Sequence, residues 1–179
     1  MKKSLFLLLL VLTAGVSTMQ AQKFPGLDKS PLDISYYKPS RTEPPVAKVI
    51  YSRPQMNGRT IFGDLVPYGK VWRTGANEST EITFFKDVTL AGKKVKAGTY
   101  SLFTIPTDGE WTIILNSVLD EWGAYTYKED KDVLRVQVPS TKADDAVEDF
   151  TIVFKPGMDG ADMILAWDKT RVSVPISTK

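Results

Sequence analysis

"TYSLFTIPTDGEWTIILN", residues 99–116, sets two apolar runs on either side of Thr107-Asp108-Gly109. The triplet is a hairpin turn signal, and β-branched and aromatic residues fill both flanks. In these runs both faces are apolar: Tyr100 and Leu102 oppose Phe103 and Ile105, and Trp111 and Ile113 oppose Ile114. Strands of that kind lie in the middle of a sheet and are covered on both sides. The pair therefore predicts a central antiparallel hairpin with material packed on each face.

The same alternation continues in both directions. Upstream stand "VAKVIYS" (46–52), "EITFF" (81–85) and "VTLAGKKV" (88–95), with turns at Asn57-Gly58 and Gly92. Downstream, Leu134, Val136 and Val138 alternate with Arg135 and Gln137, and Phe150, Ile152 and Phe154 follow the same rule. Asp159-Gly160 marks a further turn. Met163, Leu165 and Trp167 then lead through a short turn to Val172, Val174 and Ile176. Only "SVLDEWG" (117–123) and "STKADDAVEDF" (140–150) leave room for a helical turn. About nine to ten strands with frequent turns predict an all-β fold, an antiparallel β-sandwich or a partly closed barrel.

The chain opens "MKKSLFLLLLVLTAGVSTMQAQ": two lysines, an unbroken apolar run from Leu5 to Leu12, then small and polar residues up to Ala21. Residues 1–21 have the form of a secretory signal peptide, and the run is too short for a membrane span. The expected location is exported, either periplasmic or extracellular, and no transmembrane segment is expected. Residues 22–45 carry five prolines and read as an extended arm, leaving 46–179 as a single domain.

Composition narrows the chemistry. There is no cysteine, so stability must come from packing rather than disulfides. There is no histidine either. Ser-His-Asp and Cys-His catalysis, zinc sites, haem and iron–sulfur ligation all lose their side chains. No cofactor, metal site or catalytic residue is expected, and the sequence leans away from an enzyme. Without Lys2 and Lys3 the 23 Lys+Arg fall to 21, equal to the 21 Asp+Glu. A neutral chain has no electrostatic footprint for nucleic acid. The charge is uneven, with 13 Lys/Arg and 7 Asp/Glu in residues 22–100 against 8 and 14 in 101–179. These halves either intersperse on one surface or give a basic face from the first half. The acidic run Glu129, Asp130, Asp132 lacks a calcium-loop spacing and reads as a solvated turn.

One stretch is unusually rich in hydrogen-bonding side chains: "YSRPQMNGRTIFGDLVPYGKVWRTGANESTE", residues 51–81. Arg53, Arg59 and Arg73 fall among Tyr51, Tyr68 and Trp72, and Asn77 and Glu78 follow. As scaffolding, guanidinium forks tie loop carbonyls or a carboxylate, Gly75 supplies a positive φ and Asn77 closes a turn. As a site, forked polar groups beside aromatic faces suit a sugar or a carboxylated ligand. The candidate ligand-binding residues are Arg53, Arg59, Trp72, Arg73, Asn77 and Glu78, with Trp72 itself a core candidate.

This stretch, together with "GKKVKAGTYSLFTIP", "EWTIILN", "WGAYTY" and "DVLRVQV", resembles the secreted Gram-negative bacterial family known as domain of unknown function 2911. The resemblance runs over roughly residues 40–178. It implies an exported β-rich domain and carries over no reaction, substrate or cofactor.

Three functions fit. One is a binding or interaction module for a glycan, a carboxylated small molecule or another envelope protein. Another is a structural envelope scaffold that pairs through an edge strand. The third is a carboxylate-dependent glycan hydrolase, with Glu78 buried against Trp72 as general acid and a second acid nearby.

Overall fold

The computed structural model describes residues 22–178. The expected signal peptide lies outside the described residues. Among the described residues nine strands follow one another, with long loops at 53–79 and 117–131: β1 (Leu32–Tyr37), β2 (Ala47–Ser52), β3 (Thr80–Phe84), β4 (Val88–Leu90), β5 (Lys93–Val95), β6 (Gly98–Pro106), β7 (Glu110–Asn116), β8 (Asp132–Gly157) and β9 (Gly160–Ser177). They form one antiparallel sheet in the order β1-β2-β3-β6-β7-β8-β9-β4-β5, folded over on itself as a sandwich without closing into a barrel. No α-helix occurs among the described residues, and no helix there is long and apolar enough to cross a membrane.

The 99–116 hairpin sits where its two apolar faces require. β6 and β7 pair from Ser101–Asn116 to Pro106–Trp111, in the middle of the sheet. Leu102, Trp111 and Ile113 face the sandwich core. Phe103 and Ile114 point the other way and are still buried, at 1% and 0% exposure. Residues 117–131 cover that outer face. Tyr127 packs its ring on Phe103 at 5.1 Å, and Ser101 donates to the Val118 carbonyl at 2.7 Å. Buried Asn116 clamps the cover, donating to the Lys128 carbonyl and to Asp132 and accepting from the Val118 N–H.

The acidic run is part of this cover. Asp132 Oδ2 accepts from the Tyr127 hydroxyl at 2.6 Å and from Arg135 at 2.8 Å. Burial, followed by the Asp132 carboxylate, pushes the Tyr127 phenol well above its usual range. A solvated turn therefore describes Glu129 and Asp130 but not Asp132, whose side chain is 7% exposed.

Other expectations shift at element boundaries. "STKADDAVEDF" holds no helical turn: it lies inside the 26-residue β8, where the register slips between Lys142 and Thr151. β8 pairs with β7 over its first part and with β9 over the rest, so it belongs to both layers. The turn expected after Trp167 is instead a local irregularity within the continuous β9, at Asp168 with φ +50°. Within the extended proline-rich stretch, Leu32–Tyr37 form the edge strand β1, paired with β2. The one 3-10 turn among the described residues, Glu129–Lys131, falls six residues beyond "SVLDEWG".

Tyr51 stitches the two layers together. Its hydroxyl donates to the Ile152 carbonyl at 3.2 Å and accepts from the Ile152 N–H at 3.0 Å, all in a buried setting. Tyr51→Phe leaves that N–H without a partner, so urea unfolding should show a loss of about 2 kcal/mol. A loss within about 0.5 kcal/mol would mean that water reaches Ile152 after all.

The two sheet edges differ: β1 keeps Leu32, Ile34 and Tyr36 exposed and has one capped N–H, whereas β5 is short and charged. The Ile34 N–H on β1 is taken by the Asp33 carboxylate at 2.8 Å, and Arg53 holds that carboxylate from the other side at 3.1 Å. At the far end, β5 is three residues long and starts with two exposed lysines. Short, charged edges oppose strand addition by another chain.

Candidate functional site

The loop between β2 and β3 is pinned from several sides. Trp72 exchanges both backbone hydrogen bonds with Thr104 of β6, at 2.8 and 2.9 Å. Its indole N–H donates to the Gly75 carbonyl at 3.1 Å. Its ring lies among Phe62, Trp111, Phe150 and Trp167, with centroids 5.0–6.1 Å away. Trp72 is a core residue, as its apolar neighbours lead one to expect.

The turn itself differs from expectation. Gly75 does not have a positive φ; Thr74 and Asn77 do, at +58° and +59°. Gly75 is required by close approach instead. A Cβ there would lie 3.0 Å from the Ser52 carbonyl oxygen and 3.1 Å from Thr80 Oγ1. A β-branched residue at positive φ is uncommon and costs on the order of 1–3 kcal/mol. Buried Thr74 is held there by a hydroxyl bond to Thr104 and by Thr80, whose hydroxyl donates to its carbonyl at 2.7 Å. Segment 121–123 docks on the same loop: Ser79 N–H bonds to the Glu121 carbonyl and Gly123 N–H to the Asn77 carbonyl.

The six candidate residues do not converge on one point. Arg53 is a tie. Its guanidinium donates to the Phe150 carbonyl, Thr151 Oγ1 and Asp33, joining β8 to the β1–β2 edge. Exposed Arg59 closes its own turn through the carbonyls of Gln55 and Met56, yet it also lines a cavity. Arg73 and Trp72 line that same cavity, whereas Asn77 and Glu78 line a second groove. Glu78 is exposed and absent from Trp72's cavity, so the burial that a general acid would need there is missing.

The first cavity, about 450 Å³, is walled by Arg59, Lys70 and Arg73 with no Asp or Glu in the lining. Its apolar wall includes Leu65, Val71, Trp72, Tyr125 and Trp167. All three cations come from residues 59–73, which gives the basic half of the sequence a local expression. The second groove, about 520 Å³, carries Asp28, Glu78, Glu81 and Asp120 beside Trp122. Ser30 belongs to both walls, so two cavities of opposite charge meet there.

Arg73 stands apart from Arg53 and Arg59. Its Nε is enclosed without a hydrogen-bond acceptor, and among the described residues the guanidinium has no hydrogen-bond or ion-pair partner. Opposite it, Gly123 has φ +72°, and a Cβ there would sit 2.9 Å from Arg73 Nη1 and 2.7 Å from the Tyr125 ring. Lys70, Gly123 and Tyr125 were not among the sequence candidates. "WGAYTY" carries two of them, but spacing alone gives no sign that it folds onto a loop about fifty residues earlier.

Asp28 ties the N-terminal stretch to the loop. Its Oδ1 accepts from the Ser30 N–H at 2.6 Å and from Asn77 Nδ2 at 3.1 Å. The Ser30 bond first, then Asn77, hold its carboxyl below the usual range. A depressed folded pKa means that the tether is complete above the ordinary Asp value and is lost as pH falls through the lower one. In an NMR titration the Asn77 side-chain amide should move only below about pH 3.9. Movement in step with ordinary surface carboxylates would mean that the tether does not form.

The fold and site together define a class: an all-β sandwich domain with a basic, acid-free cavity at the rim of one loop. Residues 30–176 match the family model described as Protein of unknown function (DUF2911), and the chain belongs to that family. No curated protein and no solved structure matches it.

Proposed function

We propose that the protein is an exported binding module whose ligand occupies the cavity beside Trp72 and Arg73. Export rests on the charged, apolar and small-residue pattern of residues 1–21. The binding reading rests on one observation, the unpartnered Arg73 guanidinium on an acid-free cavity. An enclosed donor without an acceptor stabilises nothing in the folded chain, and Arg73 Nε is such a donor. An arginine kept for folding would resemble Arg53, with every branch engaged.

Two measurements test this. Arg73→Met should leave urea unfolding within about 0.5 kcal/mol of the parent, because no tie is cut. A thermal-shift panel of glycans and small carboxylates should contain members that raise the melting temperature of the parent but not of Arg73→Met. A loss of about 3 kcal/mol in the variant would make the side chain a structural tie and remove the reading.

A further inference from the structure

We infer that the cavity takes a small organic monocarboxylate, with the carboxylate on the Arg73 fork and an apolar body along the aromatic wall. This rests on the binding reading above and names its ligand class.

Charge comes first. Arg59, Lys70 and Arg73 line the cavity and no carboxylate does, so an anion seated inside it has cations and no acid among the lining residues. Of the two arginines among them, Arg59 is engaged by the carbonyls of Gln55 and Met56, whereas Arg73 has no side-chain partner; Lys70 is a point charge without a fork. The Arg73 Nε is shut away, while its Nη groups are left for an occupant. Two N–H groups in a plane match the two oxygens of a carboxylate, a pairing stronger than a neutral hydrogen bond.

The wall decides what the anion carries. Leu65, Val71, Trp72, Tyr125 and Trp167 present apolar surface, and about 450 Å³ accommodates a small molecule. A compact multivalent anion would leave charged oxygens facing that wall without donors, which is costly. A monocarboxylate with a ring or short alkyl body satisfies both parts. Tyr125, 83% exposed at the cavity, offers a free aromatic face for such a body. Gly123 positions the fork, since a side chain there would collide with both Arg73 Nη1 and the Tyr125 ring.

The test is a titration of the full chain with benzoate, phenylacetate, 4-phenylbutyrate and octanoate, each beside its primary amide, and with inorganic phosphate. Calorimetry gives the affinity, and tryptophan fluorescence reports the site, because Trp72 and Trp167 line it. At least one acid should bind about 10- to 100-fold more tightly than its amide and than phosphate. Arg73→Met should lose that same factor, and Arg73→Lys should recover only part of it.

Amides that bind as well as their acids would overturn the carboxylate assignment and leave a binding cavity. Phosphate matching the best acid would replace the class with a compact anion. Acids that fail while a glycan binds in an Arg73-dependent way would overturn the class alone. If neither these probes nor the wider panel bind, the class and the binding reading fall together.

Discussion

Trp72→Ala is expected to cost about 4 kcal/mol of unfolding free energy, the usual size for removing a large buried aromatic. Trp72 is the ring that touches Phe62, Trp111, Phe150 and Trp167 at once. Its removal opens a cavity bounded by rigid rings that cannot all collapse inward. It also frees the Gly75 carbonyl from the indole N–H, at the point where Thr74 is held at positive φ. Urea unfolding should show a lower midpoint with an unchanged slope. A loss under about 1.5 kcal/mol would mean that the neighbouring rings close the gap, and that the loop is anchored mainly by its backbone bonds to Thr104.

The second large effect lies at the far end of the molecule. Gly160→Ala would place a methyl group against the backbone carbonyl oxygen of Ile176, with the Ile176 carbonyl carbon 3.3 Å away. No side chain can swing aside, because both partners are main chain within the β8–β9–β4 region. The expected loss is about 3 kcal/mol, at the upper end for overpacking. Hydrogen exchange should show faster exchange first around Ala161 and Ile176. A variant as stable as the parent would place Gly160 in the turn for its Asp-Gly signal alone.

The sequence is most legible where a pattern is local and repeated. β6 and β7 follow from two runs apolar on both faces, and burial on both sides is what such runs need. Asn57-Gly58 and Gly92 turn the chain with positive φ, as their composition suggests, and Ala91 shares that conformation without any sign of it in its side chain. Legibility fails where distant segments decide. "STKADDAVEDF" leaves room for a helical turn, yet its neighbour across the sheet is β9, and pairing decides its conformation. Gly75 looks like a turn glycine, but what it avoids is Ser52, more than twenty residues away. The arginines are alike in sequence and differ only in what the fold brings to them: Arg53 receives three acceptors and Arg73 none. Gly123 and Tyr125 reach the cavity through backbone bonds between 121–123 and 77–79, which no spacing rule encodes.

The long strand β8 has a mechanical consequence. A strand whose first part pairs in one layer and whose remainder pairs in the other leaves no seam along which the halves could separate. Pulling on either layer loads the same backbone, so a partly open form with one layer intact has nowhere to end. The molecule should melt as a single all-or-none unit, with fluorescence from its tryptophans and backbone circular dichroism tracing the same curve.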